Sequence, residues 1–207
     1  MIGEWVISGN ALDRFLAWNV VGSPPGTVPR RIVTARPPDR LGALAPLDAL
    51  LLPAGDHLAV DAVTPPLPDA HGADCAAGLF LAHPFRTPDR LAESVARRGY
   101  GWLCNLPGID RHDREFRSFL EDVDLSLERE ERVLRRARDA GLRVLLCMSE
   151  PRRLGWKPDA VMVVPPVGGT VPPVRAFRAQ GIDVPVIAPA ADPEADARVR
   201  RPVPFTP

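Results

Sequence analysis

Seven short apolar runs punctuate the chain, at residues 31–35, 49–53, 78–82, 101–106, 143–148, 160–164 and 184–188, with polar or helix-patterned stretches between them. The runs are continuous rather than alternating, as in Leu50-Leu51-Leu52 and Val161-Met162-Val163-Val164. Strands covered on both faces need this character, so the pattern predicts repeated βα units around a parallel sheet. Two of the intervening segments carry helix boundaries. Thr87 is placed to cap, Pro88 suits a first helical position, Leu91, Ala92, Val95 and Ala96 line one face, and Gly99 supplies a left-handed stop. Residues 125–140 read the same way, with Ser126 as cap, Val133, Leu134 and Ala137 as the buried stripe, and Gly141 as the stop. Glu128, Glu130 and Glu131 come early in that helix and Arg132, Arg135, Arg136 and Arg138 late, which complements the helix dipole and predicts a solvated charged face.

The other connections are thin. Residues 149–159 hold Pro151 and Pro158 and leave room for about two helical turns, and residues 64–75 read as loop. A doubly wound sheet fits the same runs, but no Gly-x-Gly-x-x-Gly or phosphate-binding loop follows any of them. The expectation is an α/β fold, a compact or partly degenerate (β/α)8 TIM barrel of parallel strands filling residues 1–207 as one domain. Such barrels reach down to ~200 residues. The eighth strand has two candidate sources, residues 203–205 and residues 5–8. With few helices for its strands, the barrel is expected to leave apolar outer surface for a second copy to cover, giving a homo-oligomer.

Composition narrows the function classes. Lys plus Arg and Asp plus Glu both number 26, so the formal charge is zero, and no basic excess speaks for nucleic acid. No stretch approaches the ~18 to 20 apolar residues of a membrane helix, and the first ten residues lack a signal-peptide pattern, which predicts a soluble cytoplasmic protein with no membrane partner. Lys157 is the only lysine and sits in a Gly-Trp-Lys-Pro turn, which disfavours Schiff-base chemistry. The bias to Arg, with abundant Ala and Pro, suits a GC-rich bacterial genome and a role in specialised metabolism. Cys75, Cys104 and Cys147 have no Cys-x-x-Cys spacing and read as small buried hydrophobes, the alternative being a nucleophile facing His83 or His57.

Residues 77–91, Ala-Gly-Leu-Phe-Leu-Ala-His-Pro-Phe-Arg-Thr-Pro-Asp-Arg-Leu, followed at 99–107 by Gly-Tyr-Gly-Trp-Leu-Cys-Asn-Leu-Pro, resemble the phosphoenolpyruvate hydrolase-like TIM-barrel family, also described as predicted TIM-barrel signal-transduction proteins. The similarity continues without a gap through Asp113, Phe116, Arg117, Leu120, Glu121 and Glu130 and covers about a third of the chain. There the family reads Asp-Gly-x-Phe-Arg, then Leu-Glu, then a Glu in the following helix. Departures accompany it. His83 stands where the family has Asp, Pro53-Ala-Gly-Asp-His57 replaces Asn-Ser-Gly-Arg, and two late strand-end histidines are absent at 164–169 and 187–192. The resemblance implies the barrel and a small carboxylate or oxo-acid as substrate, and its signal-transduction label also allows a barrel that binds without catalysis.

Functional side chains of such barrels gather at the carboxyl ends of strands. Arg86 and Arg117 are candidates to clamp a carboxylate or phosphate, with Asn105, Gly168 and Gly169 as further substrate contacts. For Arg117 the competing role is an ion pair with Glu121 or Asp113. His83, Glu121 and Asp113 are the catalytic candidates. An imidazole at a strand end titrates near neutrality, and a carboxylate there can take the complementary role in a hydrolysis, lyase or isomerisation step. Asp56, Asp113, Glu121 and Glu150 are the carboxylates that would hold Mg²⁺ through water, although no dense cluster marks a metal site.

Overall fold

The structure, a computed structural model, describes residues 15–35, 72–82, 87–189, 192–200 and 203–204. Nine strands are present among them: β1 (Phe15–Val21), β2 (Arg31–Ala35), β3 (Cys75–Gly78), β4 (Trp102–Cys104), β5 (Arg143–Met148), β6 (Ala160–Val163), β7 (Val186–Ala188), β8 (Ala197–Val199) and β9 (Val203–Pro204). Strands β2 to β8 follow one another in parallel register. Strand β1 pairs antiparallel with both β2 and β8 and closes the ring as an eight-stranded barrel. The barrel expectation holds, with one strand of opposite sense.

Two strands differ from the sequence reading. The run at 78–82 is not itself a strand: β3 begins at Cys75, inside the stretch expected to be loop, and pairing ends at Gly78. A Cβ at Gly78 would meet the Thr34 Cγ2 at 2.5 Å, so the sheet closes tightly there. Leu79 still donates to the Cys104 carbonyl at 3.1 Å, and Leu81 and Ala82 are buried above the strand end by packing alone. Six of the expected runs correspond to β2 to β7, and β1 and β8 complete the ring of eight. Residues 203–204 do pair, but with β1, as a ninth strand. Residues 5–8 and 49–53 lie outside the described residues, and β2 is hydrogen-bonded directly to β3.

Alternation along each strand sorts side chains between two cores. Trp18, Ile32, Ala76, Trp102, Cys104, Leu145, Cys147, Met162 and Ile187 fill the barrel interior. Val33, Ala77, Leu103, Val144, Leu146, Val161 and Val186 face outward under the helices. At the amino-terminal end of the barrel the β1–β2 turn carries Val28 into the interior cluster. The Arg143 guanidinium lies 3.9 Å from the Trp102 ring centroid and donates to the carbonyls of Gly26 and Thr27, which latches that turn.

Four helices cover the described wall: α1 (Pro88–Arg97), α2 (Arg114–Asp122), α3 (Leu127–Asp139) and α4 (Val174–Ala179). Helices α1 and α3 match the expected boundaries and pack on each other. Gly99 and Gly141 take φ of 80° and 91° after them, which an L side chain rarely adopts. The expected helical turns in the β5–β6 connection do not form. An extended segment replaces them, with Leu154 and Trp156 packed on the outer core and the Trp156 Nε1 donating to Glu131 at 2.9 Å. That segment covers part of the described wall that carries no helix. Among the described residues the exposed large apolar side chains are Val21, Phe116, Phe119, Val123 and Val167, four of them on α2, its cap and the loop after β6. No described helix is long and apolar enough to cross a membrane.

Candidate functional site

The carboxyl ends of β4 and β5 hold a buried polar cluster. Asn105 follows β4, and its side chain bridges to β5: Nδ2 donates to the Cys147 carbonyl at 3.2 Å and Oδ1 accepts from the Cys147 N–H at 2.8 Å. The second Nδ2 hydrogen goes to Glu130 at 3.0 Å. Asn105 thus spends its donors inside the protein. Glu130, on α3, accepts at its other oxygen from the Ile109 N–H at 3.1 Å and is 1% exposed. The expected solvated face of α3 is corrected at this position. Glu130, Val133, Leu134 and Ala137 follow i, i+3, i+4, i+7 and are the four buried residues of the helix.

A 3-10 turn, Ile109–Arg111, lies over this cluster and is itself buried. The Asp110 Oδ2 accepts from the Ser149 N–H at 2.8 Å and from Arg152 at 3.3 Å. Its Oδ1 is buried without a hydrogen-bond partner, beside Gly108, where an added Cβ would come within 3.4 Å of it. Arg111 spans from the β4 loop to the β6 loop: Nε donates to the Pro165 carbonyl at 2.6 Å, and the Arg111 carbonyl accepts from the Val167 N–H at 2.9 Å. Arg152 also donates to Glu131 at 3.1 Å, so the β5 loop is tied to α3 by the same cation that faces Asp110.

The two carboxyls differ in acidity. Burial pushes the Glu130 carboxyl up to about 8; the hydrogen bond from Asn105 opposes that rise and the charge of Asp110 adds to it. Burial also raises Asp110, against Arg152 and the Ser149 N–H, which hold it down. Asp110 has the Arg152 guanidinium and the Ser149 N–H to favour its ionised form, while no guanidinium is bonded to Glu130, so of the two Asp110 gives up its proton first and Glu130 is the weaker acid.

Of the sequence-predicted residues, Asn105 is in this cluster and the other described ones lie outside it. Asp113 is exposed and caps α2, accepting from the Phe116 N–H at 2.8 Å. Glu121 is exposed on the same helix. Arg117 forms a two-point ion pair at 3.0 and 3.4 Å with Glu150 after β5, and not with Asp113 or Glu121. Gly168, at φ 67°, and Gly169, whose N–H donates to the Pro166 carbonyl, form an exposed turn after β6. His83, Arg86, Asp56 and His57 lie outside the described residues. Cys75, Cys104 and Cys147 are all free and buried, as small apolar groups, and burial raises the Cys147 thiol well above its ordinary value. His112 is half-buried, which with the Arg111 charge lowers its pKa. No three His, Cys, Asp or Glu side chains among the described residues group as a metal site.

Asp110, Glu130 and Arg152 were not singled out from sequence. Asp110 and Arg152 are single charges in loops and carry no local signal. Glu130 carried two, its match to the family's helix glutamate and its place on the apolar stripe. No protein-family model matches the chain, and no curated protein matches it. What stands is the fold: a closed eight-stranded barrel of mostly parallel strands with few helices, a degenerate TIM-like barrel.

Proposed function

We propose that the chain is a barrel enzyme acting on a small oxo-acid or related carboxylate, as its resemblance to phosphoenolpyruvate hydrolase-like barrels implies, with Asp110 and Glu130 moving the proton. The observation that carries this reading is the pair itself: two buried carboxyls of unequal acidity, Glu130 from α3 and Asp110 from the turn over the carboxyl ends of β4 and β5, on the face where such barrels do chemistry. A buried carboxylate is costly to fold around, and the unpartnered Asp110 Oδ1 keeps a lone pair for an incoming proton. Glu130 is the acid and Asp110 the base. Arg117 binds the substrate carboxylate by exchanging Glu150 for it, a two-point geometry lysine lacks. The turn holds Asp110 in place, and substrate reaches the pair when the loop after β6 parts from it, which breaks the Arg111 hydrogen bonds to Pro165 and Val167.

The second reading is a barrel that binds a small anion without turnover. It is favoured by the dispersal of Asp113 and Glu121 and by the seal the turn makes over the β4 to β6 side. Turnover of an oxo-acid panel by wild type, Glu130→Gln and Arg117→Ala separates the two. On the enzyme reading Glu130→Gln loses kcat by about 10²- to 10⁴-fold, and Arg117→Ala raises KM. A stabilising shift by an oxo-acid that Arg117→Ala removes, with no turnover of any panel member by wild type, establishes the binding reading instead.

A further inference from the structure

Exposed apolar side chains of the described residues concentrate on one short helix. Phe116, Phe119 and Val123 are 37%, 59% and 50% exposed, and their i, i+3, i+7 spacing makes one stripe along α2 and its cap. Phe116 stacks on Phe119 with ring centroids 6.1 Å apart and meets His112 at 4.6 Å. Helix α2 is held along the edge of that stripe, through buried Leu120 against Ala82 and Ile109 and through the Arg117–Glu150 pair, and the acids lie along the other edge. Single exposed apolar residues are ordinary, whereas a contiguous aromatic stripe marks a surface that something covers.

The charges beside the stripe decide what that is. Glu115 precedes Phe119 by four residues and Asp122 follows it by three, so helical spacing sets both acids along one edge of the stripe. Both are exposed, and neither has an ion-pair partner among the described residues. Arg114 lies about 140° round the helix from Phe119 and cannot neutralise that edge. A second copy is a poor occupant. Antiparallel pairing of two stripes lays the acidic edges together, Glu115 against Asp122, and parallel pairing sets each acidic edge against the other copy's Leu120 and Arg117 edge, where the guanidinium already holds Glu150, so neither arrangement supplies the acids a cation. A basic partner removes the repulsion and covers the rings at once.

We propose that the Phe116–Phe119–Val123 stripe with its Glu115 and Asp122 edge is the docking surface for a basic amphipathic helix of another protein, whose apolar face lies on the rings and whose Lys or Arg side chains meet the two acids. The proposal is independent of the oxo-acid reading.

The test is fluorescence anisotropy with the full chain and a labelled Leu/Lys/Ala peptide of about 18 residues, apolar at i, i+3, i+4, i+7. A matched peptide with Glu in place of Lys serves as control. Binding is expected for the Lys peptide only, weakened about tenfold by Phe119→Ser and severalfold by the double variant Glu115→Gln, Asp122→Asn, and weakened by added salt. Phe119 is exposed, so its variant keeps the wild-type melting temperature, which is checked first. No binding, equal binding of the Glu peptide, or unchanged binding by Phe119→Ser overturns the proposal. So does a wild-type dimer in sedimentation that Phe119→Ser renders monomeric, because the occupant is then a second copy.

Discussion

The Asn105 side chain donates to the Glu130 carboxyl at 3.0 Å while its own oxygen accepts from the Cys147 N–H, so one amide joins α3, β4 and β5 at the face where the barrel opens. Removing either partner strands a buried polar group of the other. Asn105→Ala leaves the Cys147 N–H and carbonyl and one Glu130 oxygen short of a partner, and is expected to destabilise the protein by ~2–4 kcal/mol in urea unfolding. A midpoint equal to wild type would mean that the amide is not part of the structural frame.

Glu130 gives stability an unusual pH dependence. Its folded pKa lies above its unfolded value, so the native state holds a proton that the unfolded chain releases. The contribution is fully present below about 4.5 and is lost as pH rises through about 8. Glu130→Gln removes that titration. Unfolding free energies measured from pH 5 to 9 should therefore show wild type losing a few kcal/mol relative to the variant across the window. A constant difference between the two would exclude the shift.

At the opposite end of the barrel Arg143 latches the β1–β2 turn through Trp102 and two carbonyls. Arg143→Gln keeps a donor but loses the cation over the ring, and is expected to cost ~1–2 kcal/mol. Hydrogen exchange should speed up selectively at residues 22–30, and a uniform change over the barrel would argue against a local latch.

Asp113 and Glu121 should behave differently from each other. Asp113→Ala removes the α2 cap and is expected to lower stability by ~1 kcal/mol, while Glu121→Ala stays within ~0.5 kcal/mol of wild type. If turnover is found, both variants keep it, since neither side chain reaches the Asp110–Glu130 pair; loss of turnover by Glu121→Ala would restore the role its sequence position suggested.

Much of the fold was legible in the sequence because apolar runs report burial directly. Residues 31–35 and 143–148 are strands with the expected bounds, and Thr87 to Gly99 and Ser126 to Gly141 delimit two helices. The same rule misplaced β3, where Leu81 and Ala82 are buried beyond the end of the strand, and it passed over β1, whose closing role is antiparallel and needs only a short turn at Gly22 and Gly26. The site was less legible. Strand-end reasoning finds residues near the mouth, but whether Asp113 caps a helix or Arg117 pairs with Glu150 depends on loop paths that no local spacing encodes. Glu130 is the instructive exception, since its step with Val133, Leu134 and Ala137 already placed a carboxyl on the buried face.

Glu130 is the weaker acid of the buried pair, its proton affinity raised by burial and by the neighbouring Asp110. Carbon-13 NMR titration of the Glu130 side-chain carboxyl, assigned by loss of its resonance in Glu130→Gln, measures this directly. The account predicts a midpoint near 8, with Asp110→Asn lowering it because a neighbouring negative charge is gone. A midpoint near the ordinary 4.5, unchanged by Asp110→Asn, would contradict it.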